Sequence, residues 1–541
     1  MNLADMWEAV AAELPDASAQ IHGDRVSTYR EFEDRAARLA AAFAAHGAGV
    51  GTKVGMYLYN APEYLETTFA ALKLRAVPVN VNFRYLADEL HYLLDNADAE
   101  ILVYHGALAE RVQAVRDRLP RLRLLVQVET ADADRLPLPP GAVRYEDLIA
   151  AHAPAPRMPR DPHDHIFLYT GGTTGLPKGV MWTHADLFKQ FSAGYMALGG
   201  DVPTTVEGVG AAAKTMRDMG VSGPQIAGPP LMHGMAWFTA MSRLMTGGTV
   251  VTLTDRSFDA HELWRAVQEH RVNMCVIVGD AFARPMIRAL EEAEAQGRPY
   301  DVSSLMVLVS GGVMWTPQNK TPFLDRGIGM LMDGLGSSEA TGIGMMISTA
   351  GDDPALGRFM PNPGTRVLTE DGRDVQAGSG EIGLLAVTGA LPQGYYKDPA
   401  KSANTWKTID GVRYSFPGDW ARIEADGSIT LLGRGSVCIN TGGEKVFPEE
   451  VEEALKLHPD VEDCIVVGVP DERWGEAIAA VVQPRGGAAP DPAALVAFTR
   501  ERLAAYKSPK HVVTVAKLVR SPAGKADYRW ARDTAKAALG A

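Results

Sequence analysis

Cysteine is scarce: Cys275, Cys438 and Cys464 are the only three in 541 residues. Their spacing fits neither a disulfide framework nor a zinc site, so a reduced, cytoplasmic compartment is expected. Basic charge is also short, with 53 Lys and Arg against 66 Asp and Glu and a net charge of −13. A nucleic-acid or anionic-membrane partner would want a basic face, so neither is expected, and any anionic substrate must meet a local positive site. No run of eighteen apolar residues exists, so no transmembrane segment is expected. The start, 1-MNLADMWEAVAAELP-15, lacks the basic region of a signal peptide. Apolar content of 46% and charged content of 22% are ordinary for a globular protein. The length implies several domains or subdomains with ample core.

Glycine, by contrast, is concentrated in one place. The stretch 169-YTGGTTGLPKGVM-181 holds four glycines, three threonines and one lysine, and follows the short apolar run 165-HIFLYT-170. Glycine lets backbone approach a ligand closely, and successive N–H groups form an anion-binding concavity. Thr170, Thr173 and Thr174 add hydroxyl donors around Gly171, Gly172 and Gly175, and Lys178 adds a positive charge. Together they suit a polyphosphate. The stretch is not a P-loop, because Pro177 and Gly179 stand where that motif needs Gly and Ser or Thr.

Elsewhere apolar strand-like runs alternate with helical patterns. Residues 30–46 and 62–75 read as helices. The runs 101–104, 249–253, 272–279 and 305–312 read as strands, and 257–272 as a helix with Ser257 as its N-cap. Such alternation predicts parallel α/β sheets, which bind ligands at strand C-termini. Residues 130–163, with seven prolines, are expected to be an exposed connector. Residues 199–228 are expected to be an insertion or lid. From about 380 shorter β-runs take over, and after 435 a small α+β unit is expected.

Four further stretches could carry chemistry. In 333-DGLGSSEATG-342, Glu339 is either a solvated charge or, beside a phosphate loop, a magnesium ligand. In 415-SFPGDWARIEADGSITLLGR-434, Asp419 and Arg434 are either a turn carboxylate with a surface arginine or a ribose-binding pair. The stretch 433-GRGSVCINTGGEKVFPEEVEEAL-455 reads as a hinge. Lys525, in 521-SPAGKADYRW-530, reads on its own as a solvated lysine in a turn.

Taken together and in this order, these motifs resemble the adenylate-forming superfamily of acyl-CoA synthetases, luciferases and peptide-synthetase adenylation domains. The likeness spans nearly the whole chain. The stretches 81-VNFRYLADEL-90, 433–452 and 521–531 are most similar to bacterial acyl-CoA ligases of the FadD type, including steroid side-chain acyl-CoA ligases. The resemblance implies a large N-terminal domain, 1–434, of parallel-sheet α/β subdomains plus a β-barrel-like subdomain. It also implies a small mobile α+β C-terminal domain, 435–541.

ATP, Mg²⁺ and CoA are the implied cofactors, and a small-molecule carboxylic acid is the implied partner, with a homodimer left open. Thr170, Gly171, Gly172, Thr173, Thr174, Gly175 and Lys178 would hold the phosphates. Ser337 and Ser338 would meet phosphate too, and Glu339 would hold Mg²⁺. Gly311, Gly312, Gly334, Leu335 and Gly336 would form the slot for adenine and acyl chain. Asp419 and Arg434 would bind ribose. Lys525 would bridge the carboxylate and α-phosphate, and Gly442 and Gly443 would reach the site after a domain rotation and line a pantetheine channel. His233, Met235 and Trp237 would form the acyl wall, although an apolar stretch can also hold a merely packing histidine.

Two departures from the family pattern stand out. Leu335 replaces the aromatic that commonly stacks on adenine, and Ser436 replaces the usual charged hinge residue. The implied activity is an AMP-forming acid–thiol ligase for a hydrophobic acid. The alternatives are a stand-alone enzyme loading a carrier protein and a degenerate nucleotide-binding protein.

Overall fold

The computed structural model describes residues 1–129, 137–170, 176–313, 315–352, 358–441, 444–471, 475–520 and 525–540. The helix Tyr29–Ala45 starts where Thr28 accepts from the Glu31 N–H and Glu31 returns a bond to the Thr28 N–H. Its apolar face, with Phe32, Leu39 and Phe43, is fully buried. Trp7, on the helix Leu3–Glu13, stacks on Phe69 at 4.3 Å and ties the opening helix to Pro62–Lys73.

Two parallel sheets form the body. In the first, Lys53–Tyr57, Val77–Asn80, Ala99–His105, Leu124–Val128, Ala142–Arg144 and His165–Thr170 run parallel. Lys178–Thr183 then turns back against His165–Thr170, with Thr170 opposite Lys178. In the second, Ser18–His22, Thr249–Thr252, Pro224–Ala227, Met274–Ile277, Val307–Gly311 and Met330–Ser337 are parallel neighbours. That sheet continues without a break in hydrogen bonding into an antiparallel, barrel-like part. Ala340–Ser348 pairs with Arg358–Pro361, which pairs with Ile429–Arg434. The small C-terminal unit is an α+β layer. Val461–Asp471 and Gly475–Pro484 form its long hairpin, and Tyr528–Leu539 covers one face.

Three expectations need correction. Residues 130–163 are more than a connector: Ala142–Arg144 extends the first sheet and Tyr145–Ala150 is helical. The segment 199–228 is neither an insertion nor a lid. Its helix Val206–Asp218 packs on Leu3–Glu13, where a Cβ on Gly210 would lie 2.8 Å from the Ala9 carbonyl oxygen. Its strand Pro224–Ala227 sits inside the second sheet. Finally, the helix expected from Ser257 begins later, at Ala260–Glu269. Asp259 caps it by accepting from the N–H groups of His261 and Glu262, which a carboxylate does better than a serine placed two residues earlier could.

Candidate active site

The Gly-rich stretch joins two antiparallel strands, so its ends lie side by side. Asn80 fixes the outgoing strand there. Its amide donates to the carbonyls of Tyr169 (2.9 Å) and Met232 (2.7 Å), and its oxygen accepts from the Tyr169 N–H. One side chain thereby links the phosphate stretch to the acyl-wall stretch. Gly171, Gly172, Thr173, Thr174 and Gly175 lie outside the described residues, as do Gly442 and Gly443.

Lys178 is described. Its Nζ pairs with the Asp398 carboxylate and lies 5.6 Å from the Tyr395 ring centroid. The hydrogen bond from Lys178, and next the bond from the Lys401 N–H, hold the Asp398 carboxyl below the ordinary range. Glu339 follows the strand Met330–Ser337. The Tyr395 hydroxyl donates to its Oε1 at 2.8 Å, and Ser415 donates to its carbonyl at 2.9 Å. Ser337 Oγ accepts from the N–H groups of Glu339 and Ala340, and the Ser338 carbonyl accepts from the Trp182 indole. These bonds fix the turn that carries the carboxylate.

Gly311 and Gly334 face each other across parallel strands. A Cβ on Gly311 would come within 3.1 Å of the Gly334 carbonyl oxygen and 3.4 Å of Met235 Sδ, so a side chain at 311 would crowd both. Gly336 is similarly close to backbone, and Gly312 takes φ +84. Leu335 packs toward the core of the barrel-like part, beside Ala340 and Ile343. Trp237 is 2% exposed and packs edge-on against Phe238.

His233 Nε2 is buried without a hydrogen-bond partner among the described residues. Burial lowers its pKa to about 4, helped by the charges of Lys525 and Arg84. Lys525, on the small unit, therefore lies close enough to this histidine to act on its charge. Asp419 is buried at the start of the strand Asp419–Ile423, in register with Arg434. Nearby, Gly433 takes φ +123, and a Cβ there would collide with the Glu449 carboxylate.

The structure thus brings Lys178 and Glu339 to one tyrosine, and the charge of Lys525 acts on His233. Sequence reasoning missed Asn80, Arg84, Tyr395 and Asp398. A family profile of AMP-binding enzymes matches residues 7–396, and the profile of their C-terminal domain matches 450–525. The chain belongs to the AMP-binding enzyme family. It is 41% identical to the 3-oxocholest-4-en-26-oate–CoA ligase of Rhodococcus rhodochrous, over 98% of this chain and 96% of that one. It is 43% identical to a medium-chain acyl-CoA ligase of Mycobacterium avium, over 98% and 97%. The crystal structure of an anthranilate CoA ligase with anthranoyl-AMP superposes with a TM-score of 0.83 at 22% identity, covering 100% of this chain and 98% of that chain. This family member therefore has the adenylate-forming fold, with a large N-terminal part and a smaller C-terminal one. Among the described residues, no helix is long and apolar enough to cross a membrane.

Proposed function

We propose that this AMP-forming acyl-CoA ligase activates a hydrophobic monocarboxylic acid, of medium to long chain or polycyclic. The observation that carries the reading is the convergence of Lys178 and Glu339 on Tyr395, in a chain whose full-length relatives are acyl-CoA ligases. Near pH 7 His233 is neutral, so it offers the acid no charge. Two cations act on it, Arg84 of the same unit and Lys525, which comes from the other unit and is the one assigned to the acid. The apolar wall with Met235, and the names of the full-length relatives, support a hydrophobic acid.

The residues divide the work as follows. Lys178 and the Gly-rich stretch, with Thr170, Thr173 and Thr174, bind the β- and γ-phosphates. Asp419 and Arg434 hold the ribose. A carboxylate oxygen of the acid attacks the α-phosphorus, the bond to the β-phosphate oxygen breaks, and pyrophosphate leaves. Lys525 stabilises the charge that grows during this step. The CoA thiol then attacks the acyl carbonyl, the thioester forms, and AMP leaves.

Among the described residues no cluster of three or more His, Cys, Asp or Glu could hold a metal. A single carboxylate still fits Mg²⁺, which takes most of its oxygens from phosphate and water. Glu339 suits that part, since Tyr395 occupies only one of its oxygens. Bound there, Mg²⁺ would neutralise phosphate charge.

The division at 434/435 belongs to the same proposal: the small unit rotates on residues 433–437, withdraws Lys525 and brings in the Gly442–Gly443 stretch. A panel of fatty and polycyclic acids, read by pyrophosphate release with and without CoA, tests the reading. The expected result is turnover to acyl-CoA with hydrophobic acids. Pyrophosphate release only with a carrier protein as acceptor, or with no acid at all, would replace it.

A further inference from the structure

Residues 394–405 form a self-bonded bracket beside the site. The strand Gly394–Tyr395 pairs with the strand that carries Lys178, placing Tyr395 opposite Val180. The helix Pro399–Thr405 follows, capped by Asp398, whose Oδ1 accepts from the Lys401 N–H at 2.9 Å. Ser402 Oγ accepts from the Tyr395 N–H at 2.8 Å and donates to the Asp398 carbonyl at 2.7 Å. Trp406 packs edge-on against the Tyr395 ring at 4.9 Å. Both side chains of interest are therefore held by their own turn.

Each points at a residue with a role in adenylation. The Tyr395 hydroxyl donates to Glu339 Oε1, and Glu339 Oε2 has no hydrogen-bond partner among the described residues. Asp398 uses its two oxygens differently: Oδ1 caps the helix, while Oδ2 pairs with Lys178 Nζ. A lysine cannot satisfy Asp398 and polyphosphate equally, because the polyphosphate carries more charge and the Asp398 pair is about one-third exposed.

We propose that Tyr395 and Asp398 are positioning residues for adenylation: Tyr395 holds the Glu339 carboxylate by one oxygen and leaves the other toward metal and phosphate, and Asp398 is an exchangeable counter-ion that yields Lys178 to polyphosphate. The proposal rests on the ligase reading for the roles of Glu339 and Lys178.

The two variants change one group each. Asp398→Asn keeps an oxygen for the helix cap but removes the charge facing Lys178. ATP binding, measured by calorimetry without any acid substrate, should tighten about two- to fivefold, in keeping with a partly exposed ion pair. Loss of a merely structural contact would not tighten a ligand. Unchanged or weaker ATP binding overturns the counter-ion role.

Tyr395→Phe keeps the ring under Lys178 and against Trp406 but removes the hydroxyl. The Mg²⁺ concentration that half-saturates adenylation should rise about tenfold, as when a group orienting a metal ligand is lost. CoA thiolysis of supplied acyl-AMP should stay within about twofold of wild type, because the hydroxyl acts through the adenylation carboxylate. An unchanged Mg²⁺ requirement, or equal loss in both half-reactions, overturns the tyrosine role. If the phenylalanine variant does not fold, the asparagine variant still decides its half of the proposal. Failure of the ligase reading looks different: no acid releases pyrophosphate from the wild-type enzyme, while the calorimetric arm still runs.

Discussion

The large part of the chain and the small C-terminal unit are each held together by apolar packing, yet they meet largely through polar and charged groups, with Trp420 and Phe447 as an aromatic contact between them. Inside the large part, Trp7, Phe32 and Phe69 interlock with no exposure. Inside the small unit, Ile439, Val451, Leu455 and Leu495 close one face of the sheet, and Ala531 and Ala535 close the other. Between the two, Arg288 pairs with Glu462 at 2.7 Å, Arg284 donates to the Glu462 carbonyl, and the Gln318 amide donates to the Lys456 carbonyl at 3.1 Å. Such a polar seam costs little to break, and relative motion is the default for units joined this way. The contrast teaches how the work is divided. On the proposed reading, the groups that would bind phosphate sit on the well-packed body, and the lysine that would meet the acid sits on the unit that would rotate away.

The hardest test of that division is Lys525→Ala. Acyl-AMP formation, trapped with hydroxylamine, should fall about 100- to 1,000-fold, the usual loss when a donor aimed at transition-state charge is removed. CoA thiolysis of supplied acyl-AMP should remain close to wild type. Equal losses in the two assays would mean that the small unit does not divide the work in this way.

Within the large part, Glu339→Gln should raise the half-saturating Mg²⁺ for adenylation by about tenfold, with little change in melting temperature. An unmoved magnesium titration would remove Glu339 from metal binding.

Glu462→Gln attacks the seam itself. It weakens the pairing with Arg284 and Arg288 while leaving both cores intact. Adenylation should fall and thiolysis rise, shifting their ratio about two- to fivefold, the size expected for partly exposed ion pairs. A ratio that stays put, measured at low and high salt, would show that the seam does not bias the pose.

The smallest effect separates the stabilities of the two units. His105, in the large part, is buried, and burial, aided by the charge of Arg256, lowers its pKa to about 4. Its pKa is depressed in the folded chain, so the unfolded chain takes up the proton first. Stability therefore falls as pH drops from about 6.5 to about 4. His105→Asn keeps the acceptor for the Ala107 N–H and removes the titration. The melting temperature of the large part should then fall less on acidification, by a few degrees at most, and that of the small unit should not respond.

The parts of this design that were legible in the sequence are those written in consecutive residues. The Gly-rich stretch, the turn with Glu339 and the Asp419 strand each announce themselves by local composition, and the alternation of strand and helix foretold the parallel sheets. The bracket was invisible for the opposite reason. Tyr395 reaches a residue 56 positions away and Asp398 one 220 positions away, and neither position has unusual neighbours. Composition also misled at 199–228. Small residues there suggested an insertion or lid, when in fact Gly210 lets two helices touch.

The four-residue strand Arg358–Pro361 has a consequence for how the molecule melts. Among the described residues it carries the hydrogen-bonded ladder from the parallel sheet into the barrel-like part, pairing on one side with Ala340–Ser348 and on the other with Ile429–Arg434. Detaching it would expose the polar edges of both halves at once, so neither half gains by opening first. The two halves should lose amide protection together in hydrogen exchange, as one cooperative block, while the C-terminal unit exchanges on its own schedule. Phe359→Pro, at the position paired with Ile429, would uncouple that block and split one calorimetric peak into two.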